Sequence, residues 1–193
     1  MRAVPSQIAA KVTAAADLFA ERGLDGTKIE DVAVATGVPK ATLYYYFSGK
    51  EEILAFLLQD TLTRIADEVA IAVERGGSGA ERLMGVIEAQ LAVMAEQPAV
   101  CRALIGELGR AGRIPEIAKA LHRAYYAPVE TLLADGVVDG SLVAQAEPAT
   151  VALALFGATT ITGLAFLVSG ASLDALAVAG VIRGLVLEGL QPR

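Results

Sequence analysis

Apolar residues recur along this chain at three- and four-residue steps, the spacing of helices that bury one stripe, and glycine and proline punctuate the pattern. From Ser6 to Arg22 the stripe is Ile8, Val12, Ala15 and Phe19, and Gly23 ends it. A short second helix is expected from Lys28 to Thr36, burying Ile29, Val32 and Ala33, with Thr27 and Glu30 spaced as a capping box. Gly37 supplies a left-handed turn, and Pro39, with its preset φ and no amide to leave unpaired, suits the first turn of a third helix. Ser48 and Glu51 read as another capping box opening a long helix, Gly49 to Arg75, which the GGSG of Gly76 to Gly79 breaks.

Further helical patterns cover Ala80 to Glu96, Pro98 to Arg110 and Pro115 to Ala134, the last expected to kink at Pro128. Asp135 to Leu142 reads as a turn, Pro148 opens a helix to about Ser169, and Ser172 to Leu190 forms the last. The fold class is therefore all-α: an N-terminal three-helix module over residues 1–48 and a helical domain over 49–193. Ala149 to Val168 carries no charge over about a bilayer's worth of helix. Its threonines, alanines and glycines make it only moderately apolar, and no aromatic or basic residue anchors its ends, so packing against a second subunit is expected instead. Gly157, Thr160, Gly163 and Leu164 in this helix and Leu176, Val181 and Leu185 in the last are the expected interface.

The spacing from Ala33 to Phe47 carries the chemistry. A small residue where two helices cross, a glycine at the turn, and Val38 and Leu43 as anchors describe a helix-turn-helix. Its second helix exposes Lys40, Thr42, Tyr44 and Tyr45 away from the anchors, a surface of donors and flat rings suited to a major groove. Tyr46 either joins this surface or packs at the junction with the long helix, since three successive positions cannot share one face. Glu30 and Asp31 are read as capping and helix-dipole residues, because phosphate repels carboxylates.

Charge sharpens that division. The net charge is −6, yet residues 1 to 50 hold six Lys/Arg against five Asp/Glu, leaving the acid in the remainder, so a polyanion should meet the N-terminal part. With 54% hydrophobic and 5% aromatic residues the chain has ample material for an aliphatic core. One cysteine, Cys101, excludes an internal disulfide, and no basic-then-apolar leader precedes the first helix, so a cytoplasmic location is expected. One histidine and no phosphate loop or carboxylate cleft argue against an enzyme, a metal site or a cofactor. Phe56, Gln59, Met84, Met94, His122, Tyr125, Tyr126 and Phe156 are candidates for lining a small-molecule cavity, because methionine and aromatic rings adapt to apolar ligands.

The run from Val12 to Leu57, and within it LFAERG, Thr27 through Ala33 and TLYYYFSGKEEIL, resembles the DNA-binding region of TetR-family regulators. Where that family usually has Ser, Gly and His, this chain has Pro39, Ala41 and Tyr46. The resemblance implies contacts to double-stranded operator DNA from Thr27, Lys28, Pro39, Lys40, Ala41, Thr42, Tyr44, Tyr45, Tyr46 and Lys50. It also implies a homodimer on a near-palindromic site, joined through its last two helices. Repression would be relieved by a small-molecule effector.

Overall fold

The computed structural model describes residues 3–103, 119, 121–187 and 190, and among these every regular element is helical. The chain forms two compact units, Met1–Thr61 with Gln97–Pro115 and Leu62–Glu96 with Glu116–Arg193.

In the first unit the expected opening helix is two. α1, Ser6–Val12, ends where the Thr13 hydroxyl donates to the Ala9 carbonyl, and α2, Ala15–Gly26, changes direction at Gly23, whose φ of 66° is left-handed. α3, Ile29–Thr36, packs on both, and α4, Lys40–Tyr46, packs on α3. α5, Lys50–Glu74, follows. Val12, Phe19, Val32, Leu43, Phe47 and Ile53 form a core with almost no exposed area. Residues 98–103 form α7; the Arg102 guanidinium lies 3.5 Å from the Asp17 carboxylate, and the Thr61 hydroxyl donates to Gln97 Oε1 at 2.6 Å. The rest of the expected Pro98–Arg110 helix lies outside the described residues.

In the second unit α6, Gly79–Glu96, is central: α8 (Ala127–Val138), α9 (Pro148–Ser169) and α10 (Ala175–Ile182) all pack on it. GGSG does more than break a helix. The Ser78 amide and hydroxyl donate to Glu81 Oε2 at 2.8 and 3.0 Å, capping α6. Gly79 is required there, because a Cβ would lie 2.4 Å from the Gly136 backbone of α8. The expected kink at Pro128 is a π-helical turn, His122–Tyr126, in which the Ala127 amide reaches back to the His122 carbonyl; Pro128 then sits in the first turn of α8, where its missing amide is tolerated. Asp135 to Leu142 is not simply a turn: α8 runs on to Val138, and the chain reverses at Gly140, with φ 78°. The final helix is α10 followed by a second π-helical turn, Arg183–Leu187.

Candidate nucleic-acid interface and ligand region

The turn between α3 and α4 is built by three residues. Gly37 adopts φ 62°, and the Thr36 hydroxyl donates to the Val32 carbonyl at 2.7 Å while accepting from the Val38 amide at 3.2 Å. Pro39 is the N-cap of α4 rather than its first helical residue; its carbonyl accepts from the amides of Thr42 and Leu43 at 2.8 and 3.0 Å. With Val38, Leu43 and Phe47 buried, the other side of α4 faces outward: Lys40, Ala41, Tyr44 and Tyr45 are exposed, the tyrosines by 51% and 59%. Tyr46 is half-buried, its ring edge-on to Tyr45 at 4.9 Å, and Thr42 is half-buried as well. Lys28 is exposed at the start of α3.

Two expected contacts are reassigned. Thr27 is fully buried, and its hydroxyl donates to the carbonyls of Gly23 and Leu18 at 2.8 and 3.4 Å, so it closes α2 instead of facing a ligand or capping α3. Lys50 donates to the carbonyls of Thr27 and Asp25 at 2.9 and 3.4 Å, tying the start of α5 to the α2–α3 turn. Both capping boxes also move: the first shifts by one residue at both ends, Asp31 accepting the Lys28 amide at 3.2 Å, and in the second Glu52, not Glu51, accepts the Ser48 amide. The Ser48 amide and hydroxyl hold the Glu52 carboxyl below its ordinary pKa. Glu30 accepts its own backbone amide and ion-pairs with Lys40, whose Nζ also lies 5.8 Å from the centre of the Tyr44 ring. Their hydrogen bond lowers the pKa of Glu30 and raises that of Lys40.

The eight residues expected to line one cavity are divided between the two units. Phe56 and Gln59 belong to the first unit, where Phe56 packs edge-on to Phe47 at 5.6 Å and Gln59 is exposed. In the second unit Tyr125, Tyr126 and Phe156 do cluster, with ring centres 5.1 to 6.0 Å apart, and the exposed His122 ring stands 6.3 Å from Tyr126. Tyr125 is fully buried; burial pushes its phenol pKa up against a smaller pull from the neighbouring Thr159 hydroxyl. Met84 is half-buried, and Met94 is buried beneath Gly163. A groove of about 440 Å³ is lined by Ala66, Ala70, Val73 and Glu74 of α5, Arg123 and Ala124 of the π-helical turn, and Ala127, Pro128 and Thr131 of α8. Its alanines sit at helical spacing but carry no chemical signal, which is why residue type alone missed them.

Residues 12–56 match the model of the bacterial regulatory proteins of the tetR family, and residues 76–189 match the tetracyclin repressor-like C-terminal domain. The chain belongs to the TetR family. Among curated relatives, the HTH-type transcriptional repressor KstR2 of Mycolicibacterium smegmatis is 27% identical over 143 residues, 71% of this chain and 70% of that protein. Among solved structures, the fatty acid degradation regulator FadR from Bacillus halodurans superposes with a TM-score of 0.84 at 20% identity over the whole of both chains. FadR from Bacillus subtilis in complex with stearoyl-CoA gives 0.78 at 19% identity, covering 95% of this chain and 100% of that one. This TetR-family chain is a helix-turn-helix, DNA-binding transcriptional regulator and not an enzyme.

In this TetR-family protein the expected interface residues separate into two groups. Thr160 is buried and accepts from Gln90 Nε2 at 2.7 Å, Leu164 is buried, and a Cβ on Gly163 would lie 2.7 Å from Met94 Cε, so all three serve the packing of α9 within its own subunit. Gly157 meets nothing that a Cβ would touch. Leu153, Ile161 and Val168 on α9, Leu176 and Val181 on α10 and Leu185 beyond it are large apolar side chains left exposed.

Proposed function

We propose that this regulator is a repressor that binds a near-palindromic operator as a homodimer and is released by an acyl thioester. The observation that carries the reading is the outward face of α4, where Lys40, Ala41, Tyr44 and Tyr45 stand exposed on a helix fixed by the Gly37 turn and three buried anchors. Such a face fits a major groove: the ammonium meets phosphate or a guanine edge, and the rings and the alanine methyl meet thymine methyls. Lys28, Thr42 and Tyr46 lie at its margin.

Dimerisation is supported by the exposed apolar face of α9 and α10, which a second copy would cover by the same patch around a two-fold axis. Two recognition helices about one DNA turn apart would then read two half-sites. The long apolar helix Pro148–Ser169 fits this role in a cytoplasmic protein.

The effector class is supported by the α5–α8 groove. Its volume of about 440 Å³ falls in the range of small-molecule sites, its lining is mostly alanine and other apolar side chains, and Arg123 supplies a cation beside the single carboxylate of Glu74. An apolar chain with an anionic carrier matches both features, and a related fold has been solved with stearoyl-CoA. Binding there would act through α5, which continues into the helix-turn-helix unit, provided the ligand prefers one of two α5 positions.

The experiment is a gel shift on a duplex selected by this protein from a randomised pool, titrated with acyl-CoA esters of increasing chain length and with free coenzyme A. Release by the esters but not by coenzyme A is expected. Retention of the shift through the whole ester series would overturn the effector assignment.

A further inference from the structure

Lys40 and Glu30 come from the two different helices of the helix-turn-helix: Lys40 is the first residue of α4, and Glu30 lies in the first turn of α3. Both side chains are exposed, so the ammonium best placed to meet DNA is held by a carboxylate on the same surface. Asp31 already accepts the Lys28 amide and lies 3.4 Å from the Arg22 guanidinium, and Glu30 accepts only its own backbone amide besides the Lys40 ammonium, the larger of its two partners. That amide needs no cation from α4, so the pairing with Lys40 is not explained by the needs of α3 itself.

We propose that Glu30 is a specificity-setting residue: it occupies Lys40 in the free protein and on unspecific duplex, and yields it only where the rest of α4 is seated on its site. This rests on the reading of α4 as the DNA-facing helix. The physical reasoning is a competition. A phosphate that draws Lys40 away leaves the Glu30 carboxylate bare beside the DNA backbone, where it is repelled. On random sequence, loosely placed phosphates do not offset that loss, and the lysine stays with Glu30. On the operator, Tyr44 and Tyr45 fix the register, so the lysine meets a phosphate or base edge at a set position and the exchange proceeds. Exposed ion pairs are weak, so the lock opens readily and its effect is a few-fold one.

The salt dependence makes the idea measurable, because each phosphate contact adds about 0.9 to the slope of log affinity against log salt. Fluorescence anisotropy would be recorded across a KCl series on a random-sequence duplex and on the selected duplex. The proteins are the full chain, Glu30→Gln, Lys40→Met and the double variant. Glu30→Gln should tighten random-sequence binding roughly two- to fivefold at low salt, steepen its salt slope by about one, and change the selected duplex less. In the Lys40→Met background the Glu30→Gln gain should vanish, which separates release of the lysine from simple removal of a negative charge. Unchanged affinity for random DNA, an equal gain on both duplexes, or the same gain without Lys40 would each overturn the proposal. If Lys40→Met and Tyr44→Ala both leave DNA binding untouched, the α4 reading itself has failed.

Discussion

Leu176→Asp tests where the subunits join. Leu176 is 71% exposed on α10, so its substitution removes little packing from its own subunit. Fully burying a leucine is worth roughly 1.5–3 kcal/mol, so covering the exposed part of this one contributes about 1.5 kcal/mol. In a two-fold interface the loss is felt from both copies, about 3 kcal/mol. At about 1.4 kcal/mol per factor of ten, the dimer dissociation constant should rise at least a hundredfold, and further because each aspartate carboxylate would be buried. Light scattering after size exclusion should report a monomer at low protein concentration, while far-UV circular dichroism keeps its helical amplitude. Gly163→Glu supplies the contrast: its Cβ would lie 2.7 Å from Met94 Cε and its charge inside the subunit, so it should lose helicity rather than merely dissociate. A Leu176→Asp protein that stays dimeric at every concentration would refute the assignment of this face.

Three other outcomes follow from the same geometry. Lys40→Ala and Tyr44→Ala should weaken binding to the selected duplex about tenfold each with an unchanged melting temperature, whereas Thr27→Val should lower stability by about 1–2 kcal/mol through its lost buried hydrogen bonds and leave the DNA affinity of the folded protein intact. Ala70→Trp, an exposed position in the α5–α8 groove, should abolish the response to acyl-CoA esters in the gel shift without weakening DNA binding; a retained response would place the effector elsewhere. Asp139 accepts from the Gly79 and Ser141 amides at 2.6 and 2.9 Å, and the Ser141 side chain, first, and these amides hold its carboxyl below the ordinary aspartate pKa. The stabilisation is present above the unfolded pKa and lost as pH falls through the lower folded one. Thermal melts of Asp139→Asn should therefore show a deficit at neutral pH that closes in acid.

How far the sequence could be read depended on whether a residue's chemistry had one use or two. Gly37 had one: a left-handed turn between two short apolar runs, which the structure reproduces with Val38, Leu43 and Phe47 buried. Pro148 likewise marked the start of α9. Thr27 had two, since a threonine before a helix can accept as a cap or donate as a buried hydroxyl, and only the packed α2–α3 turn decides for the donor. Adjacent carboxylates hid the caps in the same way: Glu52 reaches the Ser48 amide assigned to Glu51, and the first box shifts by one residue, Asp31 taking the Lys28 amide while the Thr27 amide bonds the Leu24 carbonyl. α9 is apolar all round, so periodicity could not say which face meets α6; Thr160 and Gly163 proved to face inward, and Leu153 and Ile161 outward. The groove escaped notice because alanines form it, and a concavity made by small residues is a property of the helices around it.

The most direct test is photo-cross-linking of the selected duplex carrying 5-iodouracil, followed by peptide mapping. The account predicts adducts on the Lys40–Tyr46 segment, through Tyr44 or Tyr45, at two duplex positions about 10 base pairs apart. Adducts confined to residues 62–96 or 127–187, or a single cross-linked position per duplex, would contradict it.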